Sequence, residues 1–202
     1  MQPNDVTRSK QLLVEGKDAE VFFYTFVVSL NITDIQIQNY GGIAELPNFL
    51  GQLTKNSNFR KLVTSLGITR DAEENSGGAF QSVCSALTSV NLLAPTHPVQ
   101  SIGTSPRVNI FIFPGNDLPG MLESLLLQAV SDDPAINCID EFIYCVEQAN
   151  HYTPKPVDKA KILAFLASRE QIKPLIGHAA RAGYWNFGDP TYNQLKDFVR
   201  SL

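Results

Sequence analysis

The sequence predicts an α/β fold in which a mainly parallel sheet of about four strands is flanked by helices and followed by a helical extension. Over residues 11–130, short apolar runs alternate with longer segments that have helical spacing. Strands that alternate with helices form parallel sheets with right-handed crossovers. Beyond residue 134 only helical spacing remains. We therefore expect an α/β core over residues 1–133 and helices over residues 134–202 that pack on it as one compact unit.

The four predicted strands are short, and charged or turn-forming residues follow most of them. They cover Gln11–Gly16, Asp34–Tyr40, Val63–Thr69 and Val108–Phe113. The last run, VNIFIF, is almost continuously apolar, as expected for a strand that is covered on both faces. In such sheets ligands bind beyond the carboxyl ends of the strands. The residues that follow each strand are therefore the first place to look for a site.

A helix is predicted after each strand. The segment Val21–Leu30 is apolar nearly all round, and its length and a cap at Asp18 favour a buried helix over a strand. An apolar stripe at helical spacing marks the next three segments, which are Leu46–Leu53, Phe80–Val90 and Met121–Val130.

The extension is expected to contain four helices, separated by breaks that contain proline or glycine. Trp185 and Phe187 are the expected anchors on the core, and Cys138 and Cys145 are expected to be buried on one helix face. The predicted helices are Ile139–Asn150, Val157–Ser168, Pro174–Gly183 and Thr191–Leu202.

Composition narrows the class of function. The formal net charge is −4 and the sequence pI is about 5.3, which argues against a broad nonspecific grip on nucleic acid but not against a local basic groove. No apolar run reaches the ~20 residues that cross a bilayer, and the first residues lack the apolar stretch of a secretory signal. We therefore expect a cytoplasmic protein without a membrane partner. No GxGxxG or Walker A pattern indicates a nucleotide cofactor.

Acidic side chains follow the first and third predicted strands. Glu15 ends the first in VEGKD, and Asp71 and Glu73 follow the third in RDAE. Because these strand ends share one edge of a parallel sheet, the carboxylates would face one point and repel each other unless a cation compensated them. Mg²⁺, or Mn²⁺ in its place, suits such oxygen ligands. Glu123, a lone carboxylate in a leucine-rich helix after the fourth strand, is a candidate ligand of a second ion.

These residues resemble the Toprim domain, which occurs in topoisomerases, bacterial primases, small maturation nucleases and the overcoming-lysogenization-defect nucleases. The likeness rests on VEGKD, a following helix and the DxD-like RDAE, within residues 11–130. Over nearly the whole chain, the segments LLVEGKDAEVFF, GITRDAE, GNDLPGMLESLLL and GYWNF are similar to a family of small, uncharacterised Toprim-like proteins.

The resemblance implies roles for five residues. Glu15 would be a general acid/base or a metal ligand, and Asp71 and Glu73 would bind Mg²⁺. Glu123 is similar to a further glutamate of the nuclease branch, and Lys17 lies where a basic residue contacts phosphate. Glu73 departs from the pattern, because the second acid of a DxD motif is one methylene shorter. Neither a topoisomerase-type tyrosine domain nor a zinc-binding primase domain is apparent, which argues against those two activities.

Simpler structural roles remain open for the same acids. Glu15 would cap the helix that follows Gly16, residues 71–74 would form a solvated loop, and Glu123 would lie on a helix surface.

Three neighbouring positions have structural alternatives as well. Asp117 is expected in a turn or at an N-cap, and Gly41–Gly42 in a turn that requires positive φ. Arg70 either steers phosphate or pairs with Asp71.

The leading hypothesis is a Mg²⁺- or Mn²⁺-dependent phosphodiester hydrolase or nucleotidyl-transfer protein of Toprim type that acts on DNA or RNA, with Glu15 handling protons. A rival hypothesis is a noncatalytic interaction module whose extension binds a protein partner, which the acidic pI and Glu73 favour. The rival predicts no saturable Mn²⁺ binding and a large apolar patch over residues 140–202. A third hypothesis, a small-molecule phosphatase, shares the metal centre but has a closed pocket and no basic groove.

Overall fold

Four strands form one parallel sheet in the computed structural model, which describes residues 2–115 and 117–202. All three pairings are parallel, and the strand order is β2-β1-β3-β4. This confirms the predicted fold class and each predicted strand. The strands are β1 (Lys10–Glu15), β2 (Ile35–Gly41), β3 (Ser65–Asp71) and β4 (Arg107–Phe113).

Helices connect the strands and form the extension, as the spacing predicts. In the core, α1 (Lys17–Ser29), α2 (Leu46–Leu53), α3 (Ser57–Leu62), α4 (Ser76–Ser89) and α5 (Leu122–Gln128) connect or follow the strands. The extension contains α6 (Ala135–Asn150), α7 (Val157–Ala167), α8 (Ile176–Arg181) and α9 (Asn193–Arg200). Only α3 was not predicted, because its six residues are too few to show a clear period.

Two hydrophobic clusters cover the two faces of the sheet. One joins α1 and the helices α5 to α9 to side chains such as Leu12 and Phe111. The other joins α2, α3 and α4 to the alternate side chains of the same strands, such as Leu13 and Ile110. Because α1 and α4 lie on opposite faces, right-handed crossovers carry the chain in opposite directions from the boundary between β1 and β3. That boundary is the topological switch point of the sheet.

The extension packs directly on the sheet, and a glycine in β3 permits the close approach. A Cβ atom on Gly67 would lie 2.8 Å from a methyl carbon of Leu202 and 3.0 Å from the ring of Phe198. The two predicted anchors also pack as expected. Trp185 is 3% exposed and lies against Phe165, while Phe187 makes an edge-to-face contact with Phe26.

Two local predictions are wrong. Asp18 does not cap α1, whose N-cap is Gly16. Its carboxylate instead accepts hydrogen bonds of 2.8 and 2.7 Å from the backbone N–H groups of Ile176 and Gly177 at the start of α8. The two cysteines of α6 are exposed rather than buried, because that helix turns only Ile139 and Ile143 fully inward.

No helix in the described ranges combines the length and the apolar character that crossing a bilayer requires.

Candidate active site

Acidic side chains from separate elements line one pocket at the carboxyl edge of the sheet. Glu15 ends β1, Asp71 ends β3 and Glu73 follows in the next loop, while Glu123 lies in the first turn of α5. All four line one pocket of about 440 Å³, termed the acid pocket, and Lys17 lines it too. The acid pocket lies at the switch point between β1 and β3, where α/β sheets bind ligands. The structure therefore brings every predicted site residue to one place.

Glu15 is held by the strand and loop beside it. The Tyr40 hydroxyl donates a hydrogen bond of 3.3 Å to its Oε2, and the backbone N–H of Ile43 also donates to its carboxylate. Burial raises the pKa of Glu15, and the negative charge of Glu73 adds to the rise. The positive charge of Arg70 and the two hydrogen bonds lower that pKa without cancelling the effect of burial.

Asp71 is the acid whose pKa is shifted furthest. Burial raises the pKa of Asp71 to about 7, and the negative charges of Glu123 and Glu15 contribute to the rise. Its Oδ1 accepts a hydrogen bond of 3.0 Å from the backbone N–H of Leu122, which together with the charge of Lys159 opposes the rise. A carboxyl group that changes charge near neutral pH, next to other carboxylates in a cleft, is typical of functional sites.

Glu123 is buried, so the alternative of a surface position is wrong. The residue is 7% exposed, and its Oε1 lies 3.7 Å from Nζ of Lys159 in α7. The Lys159 side chain is itself 60% exposed, which makes it a weakly held counter-charge. The sequence does not predict the contact of Lys159 with Glu123, because no local pattern indicates that α7 packs against α5.

Glu73 lies at the mouth of the acid pocket. Its backbone has a left-handed φ of 53°, and its side chain is exposed. Its N–H donates to the carbonyl of Gly120 at 2.8 Å, and the Gly120 N–H donates back at 2.7 Å. This bridge ties the loop after β3 to the segment before α5. The structural alternative of a solvated loop for residues 71–74 is therefore correct for Glu73 and Glu74 but not for Asp71.

Two basic side chains of the core border the acidic ones. Lys17 is exposed in the first turn of α1. Nη1 of Arg70 donates to the carbonyl of Ala79 at 3.0 Å and to the hydroxyl of Ser82, which fixes the guanidinium against α4. Although both side chains are described, no ion pair joins Arg70 to Asp71. The positive charge of Arg70 acts instead on Glu15.

The remaining alternatives are decided by backbone geometry. The hydrogen bonds described for the Glu15 carboxylate come from Tyr40 and Ile43 and not from the first backbone N–H groups of α1, so Glu15 does not cap that helix. Asp117 lies in a turn with a φ of 57°, as predicted. Gly41 has the predicted positive φ, at 90°, and its N–H donates to Oδ1 of Asn39 at 2.7 Å.

The acids surround the acid pocket without forming a tight cluster. Within residues 2–115 and 117–202, no three or more His, Cys, Asp or Glu side chains are grouped closely enough to hold a metal ion. A hydrated Mg²⁺ ion, however, takes only one or two carboxylates directly. The charge that acts most strongly on Asp71 is that of Glu123. The oxygen donors of the partly buried Asp71 and the buried Glu123 fit a hydrated hard cation, and Glu15 and Glu73 line the same pocket.

Comparison with known proteins identifies a family but no function. A family model described as "Protein of unknown function (DUF3226)" matches residues 9–202. No curated protein and no solved structure matches the chain. The matched range includes the whole sheet, all the described helices and the acid pocket. The likeness to Toprim nucleases and the bound metal therefore stay predictions.

Proposed function

Because the chain belongs to the DUF3226 family, whose function is unknown, we propose a function from the acid pocket: Mg²⁺- or Mn²⁺-dependent hydrolysis of phosphodiesters in nucleic acid, by Toprim-type chemistry. One observation carries the proposal. Four carboxylates from separate elements line one pocket at the carboxyl edge of the sheet. Such a gathering of like charges costs stability unless a cation compensates it, so a bound cation accounts for it best.

Asp71 and Glu123 are the residues that would hold the ion, with Glu15 and Glu73 around them. When bound, Mg²⁺ supplies positive charge to a phosphoryl oxygen and lowers the pKa of water. Glu15 would accept one proton of the water whose oxygen attacks phosphorus. The ester P–O bond breaks, and the leaving sugar oxygen takes up a proton from solvent as a hydroxyl. The raised pKa of Glu15 suits its role, because a general base works best when its pKa is near the working pH.

The basic side chains at the mouth would receive the phosphate. Lys17 and Lys159 both line the acid pocket and are both exposed, so their ammonium groups are within reach of a phosphate at its mouth. Lys159 lies opposite Glu123, and a cation bound by Glu123 would release the lysine toward the substrate. The acid pocket thus combines negative charge for a cation with positive charge for a phosphate.

The experiment that tests the proposal is a cleavage assay with Mg²⁺ or Mn²⁺ on single- and double-stranded DNA and RNA. Glu15→Gln keeps the size of the side chain and one acceptor oxygen but removes the base, so we expect cleavage to fall at least ~100-fold. Asp34→Asn is the matched control, because it makes the same charge change at the opposite edge of the sheet. Equal activity of wild type and Glu15→Gln would reject the mechanism. Absence of metal-dependent cleavage of all four polymers would reject the function.

A second candidate is a noncatalytic interaction module, which the surface of the extension favours. Six of the twelve large apolar side chains exposed in the described ranges lie between residues 142 and 175. This function predicts that wild type and Asp71→Asn bind Mn²⁺ equally weakly in calorimetry. The six are Phe142, Tyr144, Tyr152, Leu163, Ile172 and Leu175.

A further inference from the structure

A second pocket, termed the side pocket, opens beside the acid pocket. Its volume is about 730 Å³, within the usual range for sites that bind small molecules. The two pockets share Arg70, Glu73, Met121 and Pro156, so they are neighbouring chambers of one cleft. The hydrolytic mechanism proposed above uses only the acid pocket and leaves the larger chamber without a role.

The side pocket lies between the core and the extension. Its core wall contains the loop after β3 and the first turn of α4, including Ala72 and Ala79. Its opposite wall is the segment Thr153–Asp158, which connects α6 to α7 and begins the latter helix. Ligand sites form preferentially at such boundaries. The extension therefore completes a chamber that the core alone does not enclose.

The lining of the side pocket suits a flat ring with polar edges. Its walls are largely apolar, and polar or charged side chains lie among them, with Lys155 exposed. The carboxylate of Glu74 is an acceptor for exocyclic amino groups, which is how acids contact cytosine. Asp158 also lines the pocket, and its Oδ2 accepts a hydrogen bond from the Ser124 hydroxyl, which leaves Oδ1 for a ligand. The apolar side chains of the lining are Ala72, Ala79, Met121, Pro154, Pro156 and Val157.

We propose that the side pocket binds the nucleobase next to the phosphoester that the acid pocket holds. The inference rests on the proposed function for the position of the phosphate, and it adds the substrate class: nucleotides and unpaired strands. A phosphate or a sugar phosphate alone leaves the apolar walls exposed to water. A paired and stacked base cannot enter a pocket without leaving the duplex, so single strands bind better than duplexes.

The test measures binding rather than turnover. In calorimetry with Mg²⁺ present, wild type is titrated with adenosine 5′-monophosphate and with ribose 5-phosphate, which lacks the base. We expect the nucleotide to bind at least ~10-fold more tightly, which corresponds to ~1.4 kcal/mol, because the faces of the base are buried against the apolar side chains of the pocket. Val157 lines the side pocket and not the acid pocket, so we expect Val157→Trp to occupy part of the side pocket and to abolish the difference. Leu163→Trp is the matched control, because Leu163 is exposed on the same helix and lines neither pocket.

The outcomes separate this inference from the proposed function. Equal affinity of wild type for both ligands, binding of neither, or an unchanged nucleotide preference in Val157→Trp would overturn it. If Val157→Trp fails to fold, Lys155→Trp at the exposed rim takes its place with the same expectation. A protein that prefers the nucleotide but cleaves no phosphodiester would retain the side pocket as a nucleotide site and lose the hydrolase.

Discussion

The two edges of the sheet differ in the surroundings of their charged side chains. At the amino edge, Lys10 and Asp34 form an ion pair of 2.8 Å, and the hydrogen bond from Lys10 lowers the pKa of Asp34. Further along β1 and β2, the buried amides of Gln11 and Gln38 are joined by a hydrogen bond of 2.8 Å. At the carboxyl edge, burial and neighbouring acids raise the pKa of Asp71 to about 7. The charged groups at the amino edge are paired with opposite charges, whereas at the carboxyl edge carboxylates remain next to other carboxylates.

This difference distinguishes a structural edge from a functional one. Both edges have the same parallel backbone, so strand geometry does not require the conflict. In proteins whose local interactions are otherwise favourable, unfavourable ones such as neighbouring like charges are found mainly at functional sites. Replacing a carboxylate of the acid pocket should therefore affect binding and catalysis, whereas removing the Lys10–Asp34 pair should affect only stability.

The largest expected effect is on cleavage by Asp71→Asn. The asparagine keeps an oxygen acceptor for the backbone N–H of Leu122 but loses the charge that a cation requires. We expect metal-dependent hydrolysis to fall at least ~100-fold. Initial rates with Mn²⁺ measure it, with Asp34→Asn as the control that should remain near wild type. Cleavage by Asp71→Asn at the wild-type rate would remove the acid pocket from the mechanism.

Next in size is stabilisation by the metal. At 100 times its dissociation constant, a ligand of the folded state raises the free energy of unfolding by ~2.7 kcal/mol. For a chain of this length that corresponds to a rise of ~5–10 °C in Tm. Thermal melts should show the rise with Mn²⁺ for wild type and Asp34→Asn, and little of it for Asp71→Asn and Glu123→Gln. An equal rise in all four proteins would place the ion elsewhere.

Without metal, we expect stability to depend on pH by less than the stabilisation that the metal gives. The sign of this dependence should be opposite for Asp71 at the carboxyl edge and Asp34 at the amino edge. Because the pKa of Asp71 is about 7 in the folded protein and 3.8 as a model value, the folded state binds more protons between these pH values. Stability from this group therefore falls as pH rises from 4 to 7. In EDTA, Asp71→Asn should be more stable than wild type above pH 7 and equal to it below pH 4. A pKa difference of this size corresponds to about 4 kcal/mol. Because the Asp71 side chain is only partly buried, solvent screening reduces the expected gain to on the order of 2 kcal/mol. Urea denaturation at pH 4, 5.5 and 7.5 measures the free energy of unfolding of wild type and of Asp71→Asn. Parallel pH profiles would contradict the prediction.

Lys159→Met should have a modest effect in two directions. The exposed lysine competes with a cation for Glu123, so its removal should tighten Mn²⁺ binding a few-fold, within the ~1 kcal/mol of an exposed pair. Cleavage should nevertheless slow, because a phosphate contact is lost. Calorimetry and initial rates measure the two effects, and Lys61→Met, exposed on α3, is the charge-matched control. Weaker Mn²⁺ binding by Lys159→Met would refute the competition.

The smallest effect is expected at the amino edge. Asp34 is half exposed and pairs with Lys10, so Asp34→Asn should cost less than ~1 kcal/mol at pH 7. Its pKa is lowered, so this contribution exists above the unfolded pKa and disappears as pH falls through the folded one. Urea titration at pH 7 and pH 3 measures the change, and a loss that persists at pH 3 would show that the pair is not its cause.

The sequence predicts what depends on local patterns and on parallel topology. Glu15 and Asp71 were placed at one edge because strand ends of a parallel sheet share an edge, and both line the acid pocket. The contact of Lys159 with Glu123 depends on how α7 packs, and Asp18 caps a helix formed by residues far along the chain. Such tertiary contacts leave no mark in the periodicity of either segment. The side pocket was missed for the same reason, since its second wall comes from the extension.

The most direct test of the account is a crystal of the wild-type protein soaked in Mn²⁺ and measured for anomalous scattering. The account predicts a manganese peak in the acid pocket bound by Asp71 and Glu123, with Glu15 nearby. Saturating Mn²⁺ that leaves no peak in the acid pocket, or peaks only on other surfaces, would contradict it.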